Sequence, residues 1–170
     1  AKIQQNQLSD DEPIERTPEQ DAYPATSYQA YGFEVSADKT DWNMPMAFHM
    51  AGELDASKLE QAFKQTIARH EALRTSLKYR EGQVVQIVHP KAEFRLPVQE
   101  VASEAELRDI MEAFIQPFAM SAPPLLRARL LRIGLMEHIL LLDMHHTITD
   151  GTSVGIILDE LFRLYDGLEL

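Results

Sequence analysis

The residues best suited to chemistry lie in one stretch, Met144-His145-His146-Thr147-Ile148-Thr149-Asp150-Gly151-Thr152-Ser153. It follows the most hydrophobic run of the chain, Ile139 to Leu142, and precedes the clearest helical period, Val154 to Tyr165. Two histidines, an aspartate and a glycine therefore stand where a buried strand turns into a helix. His146 is the candidate general base: an imidazole titrates near neutrality and can take a proton from an amine or hydroxyl nucleophile. Asp150, four residues on, could ion-pair with an arginine and fix the loop, or hold a ring in one tautomer. Gly151 would permit positive φ and a close approach of substrate. The N–H groups of Gly151, Thr152 and Ser153 could bind an oxyanion at the helix start.

Plainer roles fit the same residues. Asp150 is a good N-cap by type alone, with Gly151-Thr152-Ser153 as a first helical turn. Adjacent histidines on a strand point to opposite faces, so at most one faces a given pocket. His145, His146 and Asp150 are all legitimate metal ligands, but that divergence and the lack of a third nearby histidine argue against zinc. Ser153 lacks the Gly-x-Ser-x-Gly elbow of a serine hydrolase. Neither usual phosphate-binding glycine loop is present.

The elements that must position this stretch are legible from period and punctuation. Residues 1–22 are polar and read as a linker or extended arm. A short helix around Ser27 to Phe33 is capped by Thr26 or Ser27. Met46, Phe48 and Met50 alternate with Ala47, His49 and Ala51 as a strand. Asp55 starts a helix whose buried stripe is Leu59, Ala62, Phe63, Thr66 and Ile67, with a Glu60–Lys64 pair outside and an end near Arg74. Leu77–Arg80 and Gln83–His89 flank a Glu81-Gly82 hairpin turn. Pro97 makes the 94–101 segment an edge strand. Ser103 caps a helix carrying Leu107, Ile110, Met111 and Phe114, ended by Pro117. Leu126, Ala128 and Leu130 alternate with Arg127 and Arg129, one face buried and one wet. Glu137 to Met144 is apolar on both faces and belongs at the centre of the sheet. Gly167 caps the last helix. This order predicts an α/β (α+β sandwich) fold, a mixed sheet covered by helices.

Composition bounds the function. The 170 residues include 45% hydrophobic and 25% charged, ordinary for a single globular domain with a core. No apolar run is long enough to span a bilayer. A net charge of −11 argues against a nucleic-acid partner. The absence of cysteine removes disulfides, thiol nucleophiles and Cys-based zinc sites, and is compatible with a cytoplasmic protein.

Several segments together resemble a known family. His145-His146-Thr147-Ile148-Thr149-Asp150-Gly151 matches the HHxxxDG signature of condensation domains of nonribosomal peptide synthetases and their acyltransferase relatives. Arg69-His70-Glu71-Ala72-Leu73-Arg74-Thr75 is similar to the family's RHExLRT motif. Tyr23-Pro24-Ala25-Thr26-Ser27-Tyr28-Gln29 is similar to its opening YPxSxxQ stretch, and Asn43-Met44-Pro45 is also familiar from it. The resemblance implies a chloramphenicol-acetyltransferase-like lobe, residues 23–170 forming the N-terminal lobe of a condensation domain more than twice this length.

It further implies amide formation between carrier-bound aminoacyl or peptidyl thioesters. His146 would deprotonate or orient the acceptor amine. His145 would support the loop. Asp150 would be structural, held by an arginine, for which Arg69 and Arg74 are candidates. Gly151 would leave room for the pantetheine arm or supply an N–H. No cofactor is bound directly; donor and acceptor peptidyl carrier proteins deliver the phosphopantetheine arm. The other partners implied are the C-terminal lobe and adjacent synthetase domains, with the isolated lobe inactive.

The chain departs from the pattern at Tyr31, where the opening motif usually carries Arg, and at Leu77, where the second motif usually has Phe. Val154 after Ser153 favours condensation over the related epimerisation domain, which usually has Trp there. A carrier-binding module without turnover and an acyl-CoA-dependent acyltransferase of the same fold are the competing functions.

Overall fold

The run from Ile139 to Leu142 has apolar side chains on both faces, and the fold covers both. The computed structural model describes residues 18–170, so most of the expected 1–22 arm lies outside the described residues. In chain order the elements are β1 (Tyr23–Pro24), α1 (Ser27–Val35), β2 (Asn43–Ala51), α2 (Ala56–Arg69), a 3₁₀ turn (Glu71–Arg74), β3 (Thr75–Arg80), β4 (Gln83–Val88), β5 (Val98–Glu100), α3 (Glu104–Phe114), β6 (Leu126–Arg132), β7 (Glu137–His145) and α4 (Gly151–Asp166). The main sheet runs β2-β7-β6-β5. Its first two pairings are antiparallel and β5–β6 is parallel. On one face of β7, Leu140, Leu142 and Met144 join Leu59, Phe63 and Ile67 of α2 and Ile157 and Leu161 of α4. On the other, Ile139 and Leu141 meet Ile110 and Phe114 of α3. Central placement of β7 thus follows from its sequence.

The sequence predicts one mixed sheet, and the structure has two. β3 and β4 form a hairpin that pairs with β1 in a separate three-stranded sheet, order β1-β4-β3. The main sheet already ends on two edges that resist extension. β2 carries Pro45, which has no N–H for a second neighbour. β5 is only three residues long and follows Pro97; the 94–101 segment is strand only there. The hairpin itself has the expected turn, with positive φ at Glu81 (52°) and Gly82 (84°), the requirement of a two-residue type I′ loop.

The helices keep their predicted starts. Thr26 accepts from Gln29 N–H, and Gln29 Oε1 accepts in return from Thr26 N–H, a complete capping box. Asp55 Oδ1 accepts from Ser57 and Lys58 N–H. Gly167, at φ 83°, closes α4 in the left-handed region.

α2, however, ends at Arg69 rather than near Arg74. His70 is extended (φ −98°, ψ 114°), its N–H bonded to Thr66 O and its ring 2.5 Å from Glu160 of α4. That contact turns the chain out of the helix, and Leu73 is buried in the following 3₁₀ turn. Of the apolar residues expected on α3, Ile110 and Phe114 are buried and Met111 is exposed. Arg127 is not on a wet face either: it lies beside the buried Asp143 and over Phe118.

No helix among the described residues is long and apolar enough to cross a membrane. Leu140 is fully buried at the meeting point of β7, α2 and α4. Leu140→Ala is expected to lower unfolding free energy by about 2–5 kcal/mol, read from the urea midpoint.

Candidate functional site

β7 ends at His145, and the backbone on either side of it is held by two neighbours. His145 N–H donates to Leu125 O at 2.9 Å, and His146 N–H donates to Trp42 O at 2.8 Å. The two rings diverge, as alternation requires. His145 turns inward and is 1% exposed. Its ring stacks on Trp42 (6.3 Å between centroids, 21°) and meets Phe118 edge-on at 6.0 Å. Its Nδ1 accepts from Thr147 N–H at 3.2 Å and lies 2.8 Å from Thr147 Oγ1. An accepting Nδ1 places the proton of the neutral ring on Nε2, which is buried without a partner. Burial, helped by the adjacent His146, pushes the imidazole down to about 4. His145 is therefore neutral at physiological pH, with its Nδ1 holding the Thr147 N–H of the turn.

His146 faces the other way. Its Nδ1–H donates to Thr149 O at 2.9 Å, an assignment that follows because a carbonyl can only accept. The lone pair is then on Nε2. The ring meets Tyr28 edge-on (5.6 Å, 72°) and Trp42 at 5.9 Å. It lines a cleft of about 400 Å³ with the start of α1, the 3₁₀ turn, the second half of β4, and the turn from Thr147 to Ser153. The three motif segments separated in sequence, at Thr26–Gln29, Glu71–Thr75 and His146–Ser153, share this one cleft.

Asp150 is brought to the rim but not to an arginine. Its Oδ1 accepts from both Ser153 N–H and Ser153 Oγ–H at 2.8 Å, and these bonds, the backbone one first, hold its carboxyl below the usual range. Arg69 Nε instead faces Glu160 at 3.4 Å, and Arg74 donates to His89 O at 2.6 Å. The capping role of Asp150 is the one the structure forms; the ion pair expected with Arg69 or Arg74 is absent. Gly151 does not adopt positive φ, contrary to expectation, and a Cβ there would meet nothing within 4 Å. Its lack of a side chain keeps space open rather than relieving strain. Ser153 N–H, bound to Asp150, is not free for an oxyanion.

Several positioning residues escaped the sequence reading. Trp42 contacts both histidines. Gly32 lies so close behind it that a Cβ would stand 2.6 Å from the indole and 2.7 Å from the Thr147 methyl. Gln29 Nε2 reaches Gln86 Oε1 at 3.3 Å and Thr147 O at 3.5 Å, tying α1 to β4 and the turn. Asp143, fully buried, accepts from Asn43 Nδ2 at 2.7 Å and has Arg127 Nε at 3.5 Å. Burial raises its carboxyl against the pull of Asn43 and Arg127. The guanidinium of Arg127 sits 3.7 Å over Phe118, the ring that also abuts His145. An aspartate inside an otherwise apolar strand and an arginine in the strand beside it were the available signals. No group of three His, Cys, Asp or Glu able to hold a metal occurs among the described residues.

Two outcomes follow. With a folded value near 4 against 6.5 unfolded, the unfolded chain binds the extra proton between those pH values, so His145 makes stability fall as pH drops through that window. A pH series of melts should show a shallower loss for His145→Gln than for wild type between about pH 6.5 and 4. For the cap, Asp150→Asn should melt close to wild type and Asp150→Ala below both, because asparagine also caps well; equal melting of Asn and Ala variants would contradict the cap.

The fold and sequence have counterparts among known proteins. A family model described as Condensation domain matches residues 19–170. Surfactin synthase subunit 2 of Bacillus subtilis (strain 168) is 38% identical over 162 residues, 94% of this chain but 4% of that protein. Tyrocidine synthase 3 of Brevibacillus parabrevis is 42% identical over 161 residues, 93% of this chain and 2% of that protein. The X-domain in its complex with OxyB from teicoplanin biosynthesis superposes with a TM-score of 0.80 at 25% identity, covering 90% of this chain and 34% of that one. The condensation domain of the monacolin K polyketide synthase MokA gives 0.77 at 25% identity, covering 88% and 35%. The chain thus spans a few per cent of its curated relatives and about a third of these solved chains. Its layered sheets and helices are those of the chloramphenicol-acetyltransferase-like fold, and the chain belongs to the condensation-domain family of nonribosomal peptide synthetases.

Proposed function

We propose that residues 23–170 are the N-terminal lobe of a condensation domain, and that the cleft at His146 is where an amide bond forms between two carrier-bound substrates. The observation that carries this reading is the His146 ring. Its Nδ1–H is committed to Thr149 O, so Nε2 is presented to the cleft as an acceptor. The acceptor amine attacks the donor thioester carbonyl carbon; a C–N bond forms and the C–S bond breaks. Nε2 orients the amine, takes the proton it loses and returns that proton to the departing thiolate. The substrates arrive as phosphopantetheine thioesters on donor and acceptor peptidyl carrier proteins. The side-chain-free position at Gly151 suits passage of such an arm past the start of α4.

The competing acyl-CoA reading fits less well. The cleft lining includes the carboxylates of Glu71 and Asp150 and no lysine or arginine, a poor setting for the phosphates of CoA.

In the synthetase that carries this chain, His146→Ala should lower amide formation by about 10²-fold or more, while circular dichroism and melting stay as in wild type. Normal turnover by that variant would remove His146 from the mechanism.

A further inference from the structure

We infer that Tyr28 selects the acceptor, so that the cleft takes an amine bearing a large apolar side chain in preference to a small one. The inference rests on the reading of His146 as the group that holds the acceptor nitrogen. Most of the cleft lining is small or polar: Thr26, Gln29, Ala72, Thr75, Gln86 and Ser153 offer little to an apolar group. Val88 and the buried Ile148 are apolar, and Tyr28 is the largest and most exposed of these three side chains. It lines the same cleft, is 49% exposed, and sits edge-to-ring with His146 at 5.6 Å.

The ring is also backed. Its centroid lies 4.9 Å from that of Trp42. The backbone carbonyl of Trp42 accepts from His146 N–H, and its indole fills the space beside Gly32. A half-exposed tyrosine on so fixed a support is a preorganised contact surface.

The distances fit a substrate side chain. An amine bonded to Nε2 lies about 2.9 Å from it, and its side chain begins two bonds farther on. A phenol ring centred 5.6 Å from the imidazole is then within reach of a side chain of several carbons, which covers more of it than a hydrogen or methyl does. An amine with a small substituent leaves the Tyr28 ring wet.

Trp42 is the only tryptophan of the chain, and it touches Tyr28, so its emission reports on this site without any need for turnover. Phenylalaninamide and glycinamide, equal in charge and both lacking a carboxylate, serve as probes in titrations of the 170-residue chain. Phenylalaninamide should give a saturable change with a midpoint at least about tenfold below that of glycinamide. Tyr28→Phe should keep that preference and Tyr28→Ala should erase it. Tyr31→Ala, which removes a ring that meets Trp42 edge-on and does not line the cleft, should keep it. Equal midpoints in wild type, no saturable response to phenylalaninamide, a preference that survives Tyr28→Ala, or one lost in Tyr31→Ala would each overturn the inference. The catalytic role of His146 is decided separately by the His146→Ala turnover assay, so failure of one reading is told apart from failure of the other.

Discussion

The register of β7 between β2 and β6 is the constraint on which the site depends. Asn43 lies opposite His145, and Leu126 lies opposite Met144. Strand side chains alternate, so a slip of one residue would exchange the environments of the two histidines. His145 would face the cleft and His146 would be buried. The slip is opposed by the whole strand: Leu140, Leu142 and Met144 fill the larger core, while Ile139 and Leu141 fill the smaller one. The carbonyls of Leu125 and Trp42 then fix the last two amides. The placement of His146 at the cleft is thus set by apolar packing along a strand that ends beside it.

A second layer of order is polar and buried. Asp143 shares its face of β7 with His145, and Asn43 and Arg127 approach it from the flanking strands. A buried carboxylate of this kind favours one arrangement over its alternatives because an unpartnered charge there is costly. Phe118 joins it to the histidine pair, holding Arg127 on its face and His145 at its edge. Farther away, Glu160 of α4 contacts both Arg69 and His70 at the end of α2. The helix that starts at the signature turn is in this way tied to the motif segment that forms the opposite side of the cleft.

The division of roles within the signature follows from these surroundings. The two histidines differ by one position in sequence and by nearly everything else in environment. Enclosure between Trp42 and Phe118 keeps His145 neutral, while a single carbonyl, Thr149 O, sets which nitrogen of His146 carries the proton. Asp150 and Gly151 shape the start of α4, the former by capping and the latter by leaving space.

Local pattern determined much of this molecule. The 3.6-residue stripes of α2 and α4, the caps at Thr26, Asp55, Ser103 and Asp150, the Glu81-Gly82 turn and the doubly buried β7 were all legible, because each depends on residues within a few positions of one another. So was the divergence of His145 and His146. Tertiary structure alone decided the split into two sheets, the early end of α2 at its contact with Glu160, the pairing of Asp143 with Arg127, and the meeting of Tyr28 and Trp42 beside His146. Those features join positions far apart in the chain, and periodicity says which face of an element is buried but not which distant side chain will be found there.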